Sequence, residues 1–385
     1  MKLLIASLIL SLAIQDYTGR SIVIDLQAPV VSDSIYVQDS ISSITIGAVG
    51  DLMCHSTQYN YARTGHNTFN FDPCFTFVKD LLESPDLMIG NLETTLAGER
   101  IHYSGYPQFN TPDDFAASLA RNGFDMLVTA NNHSNDTGTK GIIRTLDVLD
   151  SLDLMHTGTY ASEDERDEIV IHTIEGISLA VLAYTYSTNG LELPADKPWL
   201  VNPIDSGLIA SDIGKARDNG AEIVVTFFHF GNEYQREPDA YQRRVAGWAA
   251  EQGADIILGS HPHVVQPAEW FLTTGATLDT GFIAWSLGNF ISNQPMDYTD
   301  EGLIVHLTLT KNHSTGKITL SDCSYYPTWV YRGTDSKDKI HRVIPVPFDG
   351  AAEHNVLQQF SKEMTEASAH TDSQMQALSG MVLDW

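Results

Sequence analysis

Short apolar runs that end at a polar residue recur along this chain. Continuous apolar runs of about four to eight residues predict buried strands, so the residue after each run lies at the carboxyl end of its strand. The runs span residues 44–49, 86–90, 124–130, 222–228, 255–258 and 283–287. The residues that follow them are Gly50-Asp51, Asn91-Leu92-Glu93, Asn131-Asn132-His133, His229, Gly259-Ser260-His261 and Gly288-Asn289-Phe290.

Helical patterns lie between these runs. We expect helices over residues 113–122, 141–152, 205–219 and 238–252, three of which end at Gly123, Gly220 and Gly253. Alternating strands and helices predict a layered α/β domain, whose ligands collect at the carboxyl ends of the strands. Further along the chain, two strand-like runs follow (303–309 and 317–321), and then a polar helix-like segment over about residues 353–378.

The N-terminal residues have a pattern typical of an export signal. Lys2 precedes an apolar run over residues 3–14, and the chain turns polar at Gln15. Such a run is short for a bilayer span but typical of the central region of a signal peptide. Residues 1–14 are therefore interpreted as a signal peptide or as an uncleaved membrane anchor, followed by a linker over residues 15–43. Either interpretation predicts an exported protein, periplasmic or at the cell surface.

Charge and cysteine content exclude several classes of protein. The chain has 385 residues, with 49 acidic against 22 basic side chains and a formal net charge of -27. Such a surface repels nucleic acid, so nucleic acid is not expected among the partners. Three cysteines, Cys54, Cys74 and Cys323, are too few for a disulfide framework or a cysteine-rich zinc module. A Cys54–Cys74 disulfide and buried free thiols both remain compatible with the sequence.

The His261-Pro262-His263 segment is the most specific chemical signal. Residues i and i+2 of an extended segment point to the same side, so both imidazoles can face one site. Asp51, Glu93, Asn132 and His229 stand at parallel positions at other strand ends, where hard oxygen donors join the imidazoles. Mixed nitrogen and oxygen ligands suit zinc, manganese or iron better than calcium, and the carboxylates leave magnesium open as well.

Six motifs in order carry a family resemblance. They are GDLM (50–53), GNLET (90–94), NNHSNDTG (131–138), HFGNE (229–233), GADIILGSHPHVVQP (253–267) and SLGNF (286–290). The chain thus resembles the CapA capsule-synthesis, or poly-γ-glutamate-synthesis, family, which is related to the calcineurin-like metallophosphoesterases. The resemblance covers about residues 44–345 and leaves residues 346–385 as a polar helical tail. It implies a four-layer α/β/β/α sandwich of the metallophosphoesterase type with a site for two divalent cations.

The resemblance also implies roles for individual residues. It places Asp51 and His263 on one cation, Asn132, His229 and His261 on the other, and Glu93 between the two. His133 is the implied catalytic side chain beside the cations, with Asp136 as its partner. Apart from the resemblance, Asn91, Glu233 and Asn289 are candidates to orient ligands or substrate, and a structural role for Asn289 stays open.

Two departures from the phosphoesterase pattern affect the first cation. The usual Asp-x-His is Asp51-Leu52-Met53 here, and the usual bridging Asp is Glu93. His55 is either a replacement ligand or a surface-loop histidine.

The function implied is that of an exported CapA-like metal-dependent hydrolase, a phosphoesterase in capsule or poly-γ-glutamate biosynthesis, in which two cations activate a water. Its expected partners are a cell-envelope polymer or small phosphoester substrate and capsule-synthesis membrane proteins. Two alternatives stay open. One is a non-catalytic metal-binding scaffold of a polyanion synthesis and export complex, and the other is hydrolysis of γ-glutamyl amide bonds.

Overall fold

A computed structural model describes residues 12–15, 21–24, 40–333, 339–348, 357–380, 382, 383 and 385. It divides the chain into two units, residues 1–39 and 40–385. In the first unit, β1 (Leu12–Gln15) pairs antiparallel with β2 (Ser21–Ile24). Most of the predicted leader, residues 1–11, and most of the predicted linker lie outside the described residues. A helix with the length and hydropathy of a transmembrane span is absent from the part of the chain that is described.

The second unit contains the remaining strands and all the described α-helices. Its strands are β3 (Ile41–Leu52), β4 (Arg63–Gly65), β5 (Thr68–Phe69), β6 (Leu87–Leu92), β7 (Met126–Val128), β8 (Met155–Thr157), β9 (His172–Ile174), β10 (Ile177–Thr185), β11 (Ile223–His229), β12 (Ile256–Ser260), β13 (Ala268–Leu272), β14 (Thr280–Ala284), β15 (Asn289–Ile291), β16 (Glu301–Asn312), β17 (Ile318–Gly333) and β18 (Ile340–Pro345). Its helices are α1 (Ser56–Ala62), α2 (Lys79–Glu83), α3 (Asp114–Arg121), α4 (Gly138–Ser151), α5 (Glu163–Asp167), α6 (Ser206–Asp218), α7 (Ala240–Glu251) and α8 (Ser361–Met375).

Two large sheets form the centre of this unit. One has the strand order β18-β17-β16-β3-β6-β7-β8, with β15 also paired to β3. The other has the order β13-β14-β12-β11-β10-β9. The strands that surround the predicted site are parallel to one another within each sheet, β3, β6 and β7 in one and β10, β11 and β12 in the other. Their outer neighbours β16 and β9 are antiparallel to β3 and β10.

Three apolar cores separate four layers. The core between the sheets contains Ile46 and Ile89 from one sheet and Val225 and Leu258 from the other. Helices α3 and α4 cover the outer face of the first sheet, and α6 and α7 cover the outer face of the second. The predicted α/β/β/α sandwich is therefore confirmed. The C-terminal helix α8 lies within the segment predicted to be helical, and its apolar side packs against β17 and β18.

Candidate metal centre

Two rows of residues at strand ends form the site. Asn289, Asp51 and Asn91 stand opposite one another on the adjacent strands β15, β3 and β6. Thr185, His229 and Ser260 do the same on β10, β11 and β12 of the other sheet. The carboxyl ends of β3, β6, β10, β11 and β12 therefore bring both rows to one edge of the sandwich, as the strand pattern predicted. Asn289 differs from the prediction, because it begins β15 instead of following a strand.

A close backbone crossing explains why glycine precedes Asp51. The Asp51 N–H donates to the Gly288 carbonyl at 2.9 Å. A Cβ atom at Gly50 would lie 1.9 Å from that same carbonyl oxygen, so any side chain there would separate β3 from β15. The glycine thus positions Asp51 and Asn289 side by side.

Asn91 connects the two rows. Its amide nitrogen lies 2.8 Å from Asp51 Oδ1, 3.2 Å from Ser260 Oγ and 3.3 Å from His229 Nδ1. Ser260 Oγ in turn lies 3.0 Å from His229 Nδ1. These contacts leave the other ring nitrogen of His229, Nε2, directed to Asn132 Oδ1 at 3.0 Å.

Glu93 lies at the centre of the cluster and is fully buried. Its Oε1 is 3.7 Å from His229 Nε2 and 3.8 Å from His263 Nε2, distances too long for hydrogen bonds. Neither carboxylate oxygen has a hydrogen-bond partner among the described residues. Buried carboxylates are ordinarily paired or bound to metal, so this arrangement calls for a cation.

The His-Pro-His segment differs from the extended conformation expected for it. His261 and His263 have φ angles of 99° and 59°, in the left-handed region that non-glycine residues rarely adopt. The two rings still converge, with centroids 5.9 Å apart. The prediction of convergence is therefore correct, but its stated reason is wrong, because strained backbone rather than strand alternation aims the rings.

The two imidazoles differ in their contacts. His263 Nδ1 lies 3.0 Å from Asp51 Oδ2 and 3.1 Å from Asn289 Oδ1, so a proton on Nδ1 leaves the Nε2 lone pair free. His261 Nδ1 is buried and has no hydrogen-bond partner among the described residues.

His133 and Asp136 form a separate buried pair beside the cluster. His133 Nδ1 lies 2.7 Å from Asp136 Oδ2, and the same oxygen accepts the Phe109 N–H at 2.6 Å. Since the carboxylate holds the proton on Nδ1, Nε2 is the ring nitrogen left for a substrate. Asn132, His133, Asp136 and Glu233 line a cavity of about 320 Å³ together with Tyr106, Gln108 and Leu191.

Burial sets the protonation of the site. It raises the pKa of Glu93 well above the usual range, and the nearby charge of Asp51 adds to the effect. Burial also lowers the pKa of His229 far below its usual value and that of His261 to about 3, with neighbouring histidines contributing. Burial alone would raise the pKa of Asp51, but the hydrogen bond and charge of His263 hold it well below the usual range. Neutral imidazoles next to carboxylates are what a divalent cation requires.

The donor atoms fall into two groups that could each hold a cation. Within each group, one ligand atom per residue lies within 4.8 Å of the others. One group is Asp51, Glu93 and His229, and the other is Glu233, His261 and His263. The residues present therefore fit a divalent-metal centre. The assignment of each residue to one or the other cation stays a prediction.

His55 and the cysteines lie apart from these groups. The His55 ring packs edge-on against Phe109, and its Nδ1 lies 3.1 Å from Gln58 Oε1. Burial lowers the pKa of His55 to about 4. Cys54 and Cys74 are buried free thiols, which resolves the alternative of a disulfide between them.

Sequence reasoning missed three residues of the site. Ser260 contacts His229, Tyr186 lies with its ring centroid 4.5 Å from that of His261, and Tyr234 lies 6.2 Å from that of His263. Tyr186 follows β10, an apolar strand that the sequence analysis did not identify, so the strand-end rule would have found it. Ser260 stood within a recognised motif but was given no role.

Comparisons with known proteins agree with the resemblance. The family model described as "Bacterial capsule synthesis protein PGA_cap" matches residues 45–294. The PGA biosynthesis protein CapA of Bacillus subtilis is 27% identical over 320 residues, which cover 82% of this chain and 77% of that protein. The capsule biosynthesis protein CapA of Bacillus anthracis is 27% identical over 277 residues, 70% of this chain and 64% of that protein, so the match spans less than two thirds of it. The NAD nucleotidase of Haemophilus influenzae aligns with a TM-score of 0.47 and 12% identity over 89% of this chain and 69% of that structure.

Proposed function

This chain belongs to the bacterial capsule synthesis family PGA_cap, and from that premise we propose that it is an exported, metal-dependent hydrolase of capsule or poly-γ-glutamate biosynthesis. One observation carries the catalytic part of the proposal. Glu93 is fully buried, neither of its carboxylate oxygens has a hydrogen-bond partner among the described residues, and Oε1 faces ring nitrogens of His229 and His263. A carboxylate kept in such surroundings without a ligand would destabilise the fold.

The cations would be held by the six predicted ligands, with Glu93 between them: Asp51, Glu93, Asn132, His229, His261 and His263. Two divalent cations there would polarise a phosphoryl or carbonyl oxygen and make water a nucleophile near neutral pH. Manganese, zinc, iron and magnesium all match the mixed donor set.

The protein's own catalytic pair is His133 with Asp136. Asp136 fixes the ring of His133 through the 2.7 Å contact at Nδ1. When the ring carries a second proton, Nε2 can donate it to a leaving group or donate a hydrogen bond to a substrate oxygen. General-acid groups of this kind contribute roughly 100-fold to 10,000-fold in rate.

The charge of the protein bears on the substrate. A chain with a formal net charge of -27 repels a long polyanion. Basic side chains on α6 are engaged elsewhere, since Arg217 pairs with Asp255 and Lys215 with Asp167. The cations would therefore supply most of the attraction for an anionic group. The proposed substrate is a small phosphoester or a partly neutral stretch of a cell-envelope polymer.

Export and assembly are further parts of the proposal. The apolar run over residues 3–14 supports an exported protein, periplasmic or at the cell surface. Capsule-synthesis membrane proteins are the proposed partners. A non-catalytic metal-binding scaffold in the same pathway is the alternative function, and the buried Met53 in place of a ligand favours it.

Two measurements test the catalytic proposal. Elemental analysis of the purified protein should find divalent cations, and the His261→Ala/His263→Ala double variant should lose them. Metal-dependent turnover is then measured on an aryl phosphodiester and on a γ-glutamyl amide, with His133→Ala as the variant expected to bind metal but turn over slowly. Wild-type protein that binds cations yet cleaves neither substrate would reject the hydrolase in favour of the scaffold.

A further inference from the structure

The proposed centre is one ligand short at the Asp51 end. Met53 stands where the related phosphoesterases carry a second ligand, and its side chain is buried and offers only a soft thioether. Two nearby residues could replace the missing donor, His55 and Glu233, and their contacts distinguish them.

His55 is committed to the start of helix α1. Its Nδ1 lies 3.1 Å from Gln58 Oε1 and 3.3 Å from the Asn293 N–H, and its ring edge rests on Phe109. The side chain is absent from both groups of converging donor atoms found among the described residues. These contacts make His55 a structural residue.

Glu233 is held beside the His-Pro-His segment by its own loop. The loop leaves β11 after His229, and Gly231 and Tyr234 adopt φ angles of 98° and 65°. The Tyr234 N–H donates to the Pro262 carbonyl at 2.8 Å, which ties this loop to the residue between the two histidines.

The distances suit a shared cation. One carboxylate oxygen of Glu233 and one ring nitrogen each of His261 and His263 lie within 4.8 Å of one another. Two such donors on one cation lie at most about 4.2 Å apart, since each bond is about 2.1 Å long, so the three donor atoms lie close to the spacing that a shared cation requires.

A second observation points to a ligand at the same place. His261 is 3% exposed, and its Nδ1 has no hydrogen-bond partner among the described residues. His263 has its Nδ1 engaged by Asp51 and Asn289, which leaves Nε2 available. Two buried imidazoles with free nitrogens thus lie beside an exposed carboxylate.

We propose that Glu233 is a direct metal ligand, which binds one cation together with His261 and His263 and replaces the donor lost at Met53. The inference rests on the proposed metal centre. With two divalent cations and the three carboxylates of Asp51, Glu93 and Glu233, the site would have a net charge of +1. A neutral histidine in place of Glu233 would give a net charge of +2. Added carboxylate character favours manganese or magnesium over zinc.

Calorimetric titration of the metal-free full-length chain with Mn²⁺, together with elemental analysis of the loaded protein, tests the proposal. Wild type should bind two equivalents. Glu233→Gln should lose one equivalent or bind it at least tenfold more weakly, because the amide is a poorer ligand. Glu233→His should recover that equivalent with a preference shifted towards Zn²⁺.

Two matched variants isolate the carboxylate. Glu237→Gln removes another exposed charge of the same loop, and His55→Gln removes the competing candidate. Both should bind two equivalents with wild-type affinity, with folding checked by near-ultraviolet circular dichroism.

Each other outcome overturns a defined part. Unchanged binding by Glu233→Gln rejects Glu233 as a ligand, as does an equal loss in Glu237→Gln or a loss confined to His55→Gln. Wild-type protein that binds no divalent cation rejects the metal centre itself, and with it the proposed function.

Discussion

The Glu93→Gln substitution should stabilise the metal-free protein and destabilise the metal-loaded one. Without cations, the buried Glu93 carboxyl has a pKa far above its ordinary value of 4.5 because of burial and the charge of Asp51. A carboxyl whose pKa is raised in the folded state stabilises the fold fully below about pH 4.5, its ordinary pKa. That contribution to the free energy of unfolding is lost as the pH rises towards the folded-state pKa. A neutral amide avoids that loss.

The magnitude follows from the pH interval. Each pH unit above the ordinary value costs about 1.4 kcal/mol, so the substitution should gain about 1–3 kcal/mol at pH 7 without metal. With free cation at 100 times Kd, two sites contribute about 5 kcal/mol. A 100-fold loss of affinity at both sites leaves less than about 1 kcal/mol of that, so the loaded variant should be about 2–4 kcal/mol less stable than wild type.

Urea unfolding at pH 7, monitored by circular dichroism once in chelator and once with Mn²⁺, measures the change in stability of the metal-free and of the metal-loaded protein. The metal-free gain should shrink at pH 5, where the wild-type carboxyl costs less. A Glu93→Gln protein that is destabilised equally in chelator and in Mn²⁺ would refute the reasoning, because Glu93 would then have a structural partner rather than a cation.

Three further predictions concern residues outside the donor groups. Burial raises the pKa of Glu301 to about 7 despite its contact with His370. The free energy of unfolding of wild type should therefore fall by up to about 3 kcal/mol between pH 4.5 and pH 7. Glu301→Gln should flatten this pH dependence of the urea midpoint equally with and without cations. Asp212→Ala should cost about 3–5 kcal/mol in urea unfolding without changing the metal content, because it leaves the buried Arg166 guanidinium unpaired; a loss below about 1 kcal/mol would contradict this. Cys54 and Cys74 should react with a thiol reagent only after unfolding, and rapid labelling of the native protein would show that they are accessible.

Regular elements with strong local signals could be predicted from the sequence. Helix α6 (Ser206–Asp218) and helix α7 (Ala240–Glu251) lie within a few residues of their predicted ends, because capping residues and terminal glycines act locally. Strand β3 begins three residues earlier than expected, at Ile41, and β14 (Thr280–Ala284) is shifted against the predicted run 283–287. Strand ends depend on which neighbour supplies hydrogen bonds, and that information is not local.

Apolar runs were enough to mark the polar residues that follow several buried strands, because a buried strand needs an apolar run and the polar residue after it lies at the edge of the sheet. The sequence therefore identified Asp51, Glu93, His229 and the His-Pro-His segment. The way in which those residues act together depends on tertiary contacts. In the folded protein, Asn91 contacts residues of both sheets, and positive φ angles orient the rings of His261 and His263. His55 packs at the start of α1, and Glu233 lies beside the two imidazoles. These contacts join residues far apart in the chain, and their distances depend on how the two sheets pack.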